Sequence, residues 1–539
     1  MAWNFADMWE SVADALTDHV ALVQGNRRVT WSQFDDRAAR LASALTEAGL
    51  QPGSKVASYL YNSNEYSEGL YATFKMRGVP VNVNYRYLED ELAYLIDNSD
   101  AEALLFHGVL GDRVAKIRAQ APNVKAWIQV DDGAPKQDFA IAYEDVIAMH
   151  DPMPRIERSG DDLYFLYTGG TTGMPKGVMW RNEDLIKVLA ESGYALAGAS
   201  PPERPEDAGA VAKSVIDGGS VRMHIPASPL MHGTGAFTSF QAMFVGTGIV
   251  TLRNRHFDAN EMWQTVQRER VTQMAIVGDA FAKPMVRALE EAEAKGSPYD
   301  ISSLQLIISS GVMWSTETKQ ALMARGNIIC FDSLGSSEGV GFAGSINVPG
   351  SAPTTAKFTI GPSTKVFTDD GREVVPGSDE VGMLAVGGHI PIGYYKDERK
   401  SAGTFRTING QRWSVPGDFA RVEADNSIVL LGRGSVVINS GGEKVFPEEV
   451  EEAVKLHPDV TDCLVVGVPD DRFGEAVTAV VACRDSATIT ATELGAALGS
   501  LARFKHPRNF VFVPEIVRGP NGKADYKWAK ERAAQPTDG

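Results

Sequence analysis

One stretch constrains this chain more than any other: Tyr167-Thr168-Gly169-Gly170-Thr171-Thr172-Gly173-Met174-Pro175-Lys176-Gly177-Val178. It follows the apolar run Leu163-Tyr164-Phe165-Leu166-Tyr167, whose length and aromatic content suit a buried strand. The glycines keep side chains out of the way, so backbone N–H groups can close on a ligand. Thr168, Thr171 and Thr172 add hydroxyls, and Lys176 adds a mobile point charge. Donors of these kinds together describe a polyphosphate cradle. The stretch is not the common nucleotide P-loop, which needs Gly-Lys-Ser/Thr so that the hydroxyl can hold magnesium. Here Lys176 stands between Pro175 and Gly177. A Gly- and Thr-rich surface loop is the plain alternative, and the remaining sequence has to decide between them.

A chain of 539 residues exceeds what one core usually supports, so more than one domain is expected. Residues 1–150 alternate helical and strand-like segments. Helices are expected from Trp31 to near Gly49, over Glu65–Met76 and over Asn84–Asp97, and strands over Val56–Leu60, Val79–Val83, Ala103–Phe106 and Ala126–Val130. The rhythm resumes with strands at Ile249–Leu252, Gln273–Val277, Leu304–Ser309 and Asn327–Phe331. Helices are expected between them at Ala259–Arg270, Lys283–Lys295 and Thr316–Arg325. This is the pattern of doubly wound α/β layers. Residues 199–220, opening Ser200-Pro-Pro-Glu-Arg-Pro, break it and read as an exposed, mobile insertion. From about 345 to 432 short β-like runs rich in Gly and Pro predict a β-rich subdomain. A small α+β domain is expected beyond it, with a helix over Pro447–His457, strands over Asp462–Val468 and Val477–Cys483, and a helix over Ala491–Leu501. The expected class is therefore α/β plus α+β, with a large domain over 1–434 and a small one over 435–539.

The net charge of -17 argues against nucleic acid as a general partner. Cys330, Cys463 and Cys483 are too widely spaced for a disulfide framework or a zinc site, and a reducing cytoplasm is the default location. No basic-then-apolar leader and no run of about 18 apolar residues is read, so neither a secretory signal nor a transmembrane segment is expected. The opening face of Trp3, Phe5, Met8, Trp9, Val12 and Leu16 is expected to enter the core.

Six further stretches carry polar chemistry. Leu334-Gly335-Ser336-Ser337-Glu338-Gly339 puts a carboxylate after a strand, where it can hold magnesium beside phosphates. Asp418, in Pro416-Gly417-Asp418, is suited to accept bonds from two vicinal hydroxyls. Gly432-Arg433 offers a planar guanidinium, and Ser440-Gly441-Gly442-Glu443-Lys444 lets backbone pass close to a thin ligand. Gly519-Pro520-Asn521-Gly522-Lys523 and Met231-His232-Gly233-Thr234-Gly235 complete the set. Each alone reads equally as a turn, a solvated lysine or a core histidine.

Taken in order, the seven stretches from Thr168 to Lys523 resemble the motifs of the adenylate-forming superfamily, over essentially the whole chain. Within it, HGTGAF and GRGSVVINSGGEKVFPEEVE look most like bacterial fatty-acyl or steroid side-chain CoA ligases. The resemblance implies ATP-dependent activation of a hydrophobic carboxylic acid to an acyl-adenylate, then transfer to CoA with release of AMP and pyrophosphate. It implies that Thr168, Gly169, Gly170, Thr171, Thr172, Gly173 and Lys176 cradle pyrophosphate. Glu338 would hold Mg2+, and Ser337 would contact phosphate or carboxylate. Ser310 and Gly311 would flank adenine, because Leu334 stands where the family usually has an aromatic residue. Asp418 and Arg433 would bind ribose, and Gly441 and Gly442 would border the thiol tunnel. His232 would lie between the nucleotide and acyl sites, and Lys523 would be the catalytic lysine. Phe237, Phe240, the 278–285 segment, Val312, Met313 and Trp314 would wall the acyl pocket. The 435–539 domain would be mobile, pivoting at Ser435, where relatives often carry Asp or Lys. Transfer to a carrier protein and a silent nucleotide-binding homologue are the alternatives. Homo-oligomerisation stays open.

Overall fold

A computed structural model of the chain describes residues 1–170, 173–219, 222–355, 357–440, 443–470, 473–484, 489–498, 501–518 and 524–535. The chain divides into two compact units, Met1–Thr355 with Val386–Ser414, and Ala356–Ala385 with Val415–Gly539.

The first unit holds two α/β sheets. In one, Val20–Gln24, Gly248–Thr251, Met223–Pro226, Gln273–Ile276, Leu306–Ser309 and Ile329–Ser336 run parallel in that order, with antiparallel Arg27–Thr30 and Gly339–Asn347 at the two ends. In the other, Leu163–Gly170, Val79–Asn82, Lys55–Tyr59, Ala101–His107, Ala126–Val130 and Ile141–Ala142 run parallel, and Gly173–Arg181 and Gly393–Tyr394 add an antiparallel edge. Parallel strands are buried on both faces, which is why they read as continuous apolar runs. The doubly wound layers are those the alternation predicts. The opening helix is Phe5–Ala15, capped by the Asn4 side chain, and Phe5, Met8, Trp9 and Val12 are buried as expected.

Three local expectations are corrected. Residues 200–207 are largely exposed, as expected, but they and the residues after them do not form a structureless loop. Pro205–Asp207 and the helix Ala208–Asp217 pack on the opening helix, where Ser11 Oγ donates to Glu206 O at 2.8 Å and accepts from Gly209 N–H at 2.9 Å. A Cβ at Gly209 would collide with the Ser11 carbonyl, so glycine sets this close approach. The helix expected from Asn84 begins at Glu89, because the Asn84 side chain accepts from Arg86 N–H and forms a turn instead. The helix expected from Lys283 begins earlier, at Gly278, and carries Pro284 inside it.

The second unit has a β-rich part and an α+β part. Lys357–Ile360, Ser427–Arg433, Asp418–Val422 and Val381–Val386 form an antiparallel sheet. Val460–Asp470 and Gly474–Cys483 form a long hairpin, extended in parallel by Asn509–Val513. The helices Pro447–Lys455, Ala491–Ala497 and Tyr526–Ala533 accompany it. Alternate residues of the hairpin bury into two apolar clusters, Cys463, Val465, Val477 and Val481 in one and Leu464, Val466, Val480 and Ala482 in the other. Among the described residues no helix is long and apolar enough to cross a membrane.

Candidate active site

The glycine-rich stretch is the end of a β-hairpin. Leu163–Gly170 leads up and Gly173–Arg181 returns, with Tyr167 opposite Gly177, Thr168 opposite Lys176 and Gly170 opposite Gly173. Thr171 and Thr172, at the tip, lie outside the described residues. Gly177 is required at its position, since a Cβ there would stand 2.6 Å from the Tyr167 ring. Lys176 is not a free point charge. Its ammonium pairs with Asp397, the N-cap of the helix Glu398–Thr404, and this bond holds the Asp397 carboxyl below its ordinary pKa.

Glu338 follows the parallel strand Ile329–Ser336, as expected, although that strand runs on to Ser336 and does not end near Phe331. Ile329–Ser336 and Gly339–Asn347 form a tight hairpin, and Ser337 and Glu338 occupy its turn. Four hydrogen bonds fix that turn. Glu338 N–H donates to Ser336 Oγ at 3.2 Å, and Ser414 Oγ donates to Glu338 O at 2.6 Å. The Trp180 indole N–H donates to Ser337 O at 3.1 Å, and the Tyr394 hydroxyl donates to Glu338 Oε1 at 2.7 Å. The second carboxylate oxygen carries no hydrogen bond among the described residues. Trp180 lies on the returning strand of the glycine-rich hairpin. Tyr394 lies on the short strand paired with it, opposite Val178. Cradle and carboxylate are therefore parts of one hydrogen-bonded assembly.

A second tie reaches His232, the half-buried N-cap of the helix Gly233–Phe244. Asn82, only 4% exposed, accepts from Tyr167 N–H at 2.6 Å and donates to Tyr167 O at 2.8 Å and to Met231 O at 2.6 Å. One amide thus joins the base of the cradle to the residue before His232.

Ser310 and Gly311 follow the strand Leu306–Ser309, and Gly311 has φ +93°, a left-handed turn that favours glycine. Asp279 clamps the loop beyond them. Its N–H donates to Met313 O at 3.0 Å, and its Oδ1 accepts from Ser315 N–H, Ser315 Oγ and Thr318 Oγ1 at 3.1, 3.0 and 2.7 Å. Val312 and Met313 are half-buried and Trp314 is buried. Phe237 and Phe240, 8% and 2% exposed, sit in an aromatic cluster; both touch Tyr164, and Phe240 also meets Phe5 and Trp9.

In the second unit, Asp418 opens its strand directly opposite Arg433, after Gly417 at φ +102°. Gly434 N–H donates to Gly417 O at 2.9 Å, and Ser435 lies in the single turn Gly434–Val436. Lys523, Gly441 and Gly442 lie outside the described residues. Sequence reasoning missed Asn82, Trp180, Asp279, Tyr394 and Asp397, which hold the motif residues rather than resemble a motif.

The sheets and the joined cradle define an α/β protein with a glycine-rich hairpin tied to a carboxylate turn. The family model described as AMP-binding enzyme matches residues 9–395, and that described as AMP-binding enzyme C-terminal domain matches 449–523. The chain belongs to the AMP-binding enzyme family. It is 46% identical to a 3-oxocholest-4-en-26-oate–CoA ligase of Rhodococcus rhodochrous, over 100% of this chain and 97% of that one. It is 44% identical to a medium/long-chain-fatty-acid–CoA/3-oxocholest-4-en-26-oate–CoA ligase of Mycolicibacterium smegmatis, over 98% and 96%. Among solved structures, ATP-bound MatB from Rhodopseudomonas palustris shares the fold with a TM-score of 0.80 at 24% identity, over 98% of each chain.

Proposed function

We propose that this protein is an AMP-forming acid–thiol ligase. It activates a hydrophobic carboxylic acid with ATP to an acyl-adenylate and passes the acyl group to CoA. The observation that carries this reading is the joining of the glycine-rich hairpin to the Glu338 turn through Trp180 and Tyr394. Full-length relatives named as fatty-acid–CoA and 3-oxocholest-4-en-26-oate–CoA ligases support an acid of fatty-acyl or steroid side-chain type.

In the first step the substrate carboxylate forms a bond to the α-phosphorus of ATP and pyrophosphate leaves. In the second the thiol attacks the acyl carbonyl and AMP leaves. Both first-step reactants are anionic, so charge neutralisation decides the rate. Thr168, the backbone of Gly169, Gly170 and Gly173, and Lys176 take the departing pyrophosphate, with Thr171 and Thr172 assigned to the same task by resemblance. The Lys176–Asp397 pair keeps the ammonium aimed before the nucleotide arrives. A magnesium ion fits Glu338, because such ions are commonly held by one or two carboxylates together with substrate phosphates and water. Among the described residues no larger cluster of metal-ligating side chains competes for it. Its contribution when bound is neutralisation of phosphate charge. Asp418 and Arg433 are assigned to the ribose, Ser310 and Gly311 to the adenine, His232 to the acyl side and Lys523 to the substrate carboxylate. Gly441 and Gly442 are assigned to the thiol path, with Ser435 as pivot between a 1–434 body and a 435–539 domain. Phe237, Phe240, Val312 and Met313 are assigned to the wall of the acyl pocket.

Pyrophosphate release, measured with a panel of carboxylic acids with and without CoA, tests this. Release that depends on the acid, with a thioester formed only when CoA is present, is expected. Release indifferent to every acid would contradict it.

A further inference from the structure

One short segment reaches both charged groups of the phosphate side. The strand Gly393–Tyr394 pairs with the returning strand of the glycine-rich hairpin, Gly393 opposite Met179 and Tyr394 opposite Val178. Tyr394 bonds Glu338, and three residues further on Asp397 bonds Lys176. Between them the Tyr395 hydroxyl donates to Asp100 Oδ2 at 2.6 Å, and the Lys396 ammonium donates to Asp100 Oδ1 at 2.8 Å. Tyr395 N–H donates to Gly177 O at 2.8 Å, beside Lys176. These bonds anchor the segment on both sides and give Asp397 a fixed place next to the cradle.

The two oxygens of Asp397 have different partners. Oδ1 accepts from Lys400 N–H at 2.9 Å and caps the helix Glu398–Thr404, while Oδ2 accepts from the Lys176 ammonium. Departure of Lys176 leaves that cap intact, so the carboxylate keeps its position with or without the ammonium. Lys176 is the only charged residue between Tyr167 and Val178. Asp397 is its only hydrogen-bond or ion-pair partner among the described residues. The two side chains are 39% and 30% exposed, so a second anion can reach the ammonium, and the pair is weak enough to part. A pyrophosphate in the cradle therefore takes Lys176 in competition with a carboxylate that stays within reach.

We propose that Asp397 is an exchangeable counter-ion for Lys176: it yields the ammonium when the phosphates of ATP bind and recaptures it as pyrophosphate leaves, which weakens the hold on that product. The proposal rests on the acid-activating reading above and adds to it a residue that acts through Lys176 on product release. The ammonium keeps its proton throughout and changes partner from carboxylate to phosphate oxygen and back.

Asp397→Asn removes the charge and keeps a good capping side chain, and Asp397→Ser does the same with a smaller one. The test is inhibition of thioester formation by added pyrophosphate, with an acid that the wild type turns over. The inhibition constant should fall about two- to fivefold in both variants, the range open to a partly exposed ion pair. Inhibition by AMP should stay as in the wild type, because AMP lacks the departing phosphates. That contrast separates a charge effect at Lys176 from a general distortion of the site. Unchanged or weaker pyrophosphate inhibition in either variant, or an equal fall for AMP, would overturn the counter-ion role while leaving acid activation intact. Absence of acid-dependent pyrophosphate release from the wild type would overturn the acid-activating reading and this role with it.

Discussion

At the residue scale, the motif side chains depend on partners that have no motif of their own. Tyr394 aims one oxygen of Glu338, and a lost hydrogen bond to a charged group costs about 1.5–3 kcal/mol. Tyr394→Phe should therefore lower kcat/KM by about tenfold or more with little change in Tm. Glu338→Gln, which removes the charge itself, should cost about 100–1000-fold in kcat. Both are read from steady-state kinetics beside a thermal melt, and a Tyr394→Phe variant as active as the wild type would remove the aiming role. Asn82→Ala strands three buried backbone groups of Tyr167 and Met231 and should cost about 2–4 kcal/mol of stability by denaturant titration. Glu338 and Lys176 were legible because acid and base types stand beside glycines at a turn. Tyr394 and Asp397 were not, since they reach their partners across 56 and 221 residues. Strand register, and not spacing along the chain, makes those contacts.

At the element scale, periodicity gave the strands and most helices, because parallel strands buried on both faces leave unbroken apolar runs. It failed where proline and glycine serve packing rather than turns. Residues 199–220 carry prolines that read as a loop, yet Pro205 opens a helical segment and Gly209 lets it lie against Ser11. Gly209→Ala would gain about 1 kcal/mol of helix propensity and still lower Tm, because the added Cβ meets backbone. Gly495→Ala, in the helix Ala491–Ala497 with nothing near its Cβ, should raise stability by about 0.5–1 kcal/mol. The strand Met223–Pro226 carries His224, fully buried beside Thr238, where burial pushes its pKa down to about 3 from 6.5. The unfolded chain binds that proton more readily. The stability from neutral His224 is thus fully present above pH 6.5 and is lost as pH falls towards 3. By pH 5 about 2 kcal/mol should be gone. His224→Gln should flatten denaturant midpoints between pH 7 and pH 5, and an unchanged slope would contradict this.

At the scale of the whole molecule, the ordered motifs made the family legible because adenylation needs several kinds of group at once: phosphate donors, a carboxylate and a lysine. The remote acyl end was less legible. Phe237 and Phe240 were assigned to the pocket wall by resemblance, and both pack in an aromatic cluster with Tyr164, where bulk serves packing as well as it would serve a ligand. Helix phase, invisible until neighbours are in place, decides which side chains of Gly233–Phe244 meet that cluster. Lys523 is assigned to the first step alone. Lys523→Ala should abolish acyl-adenylate formation yet retain thioester formation from supplied acyl-adenylate, and equal loss of both half-reactions would remove that role. Asp418→Ala should raise the ATP requirement strongly in the same assays.

The two-step chemistry meets its most direct test in ATP–pyrophosphate exchange, followed with labelled pyrophosphate in the absence of CoA. A medium-chain or steroid side-chain acid should switch the exchange on, with AMP and not ADP accumulating once CoA is added. Exchange that requires CoA, or ADP and phosphate as products, would contradict an acyl-adenylate intermediate.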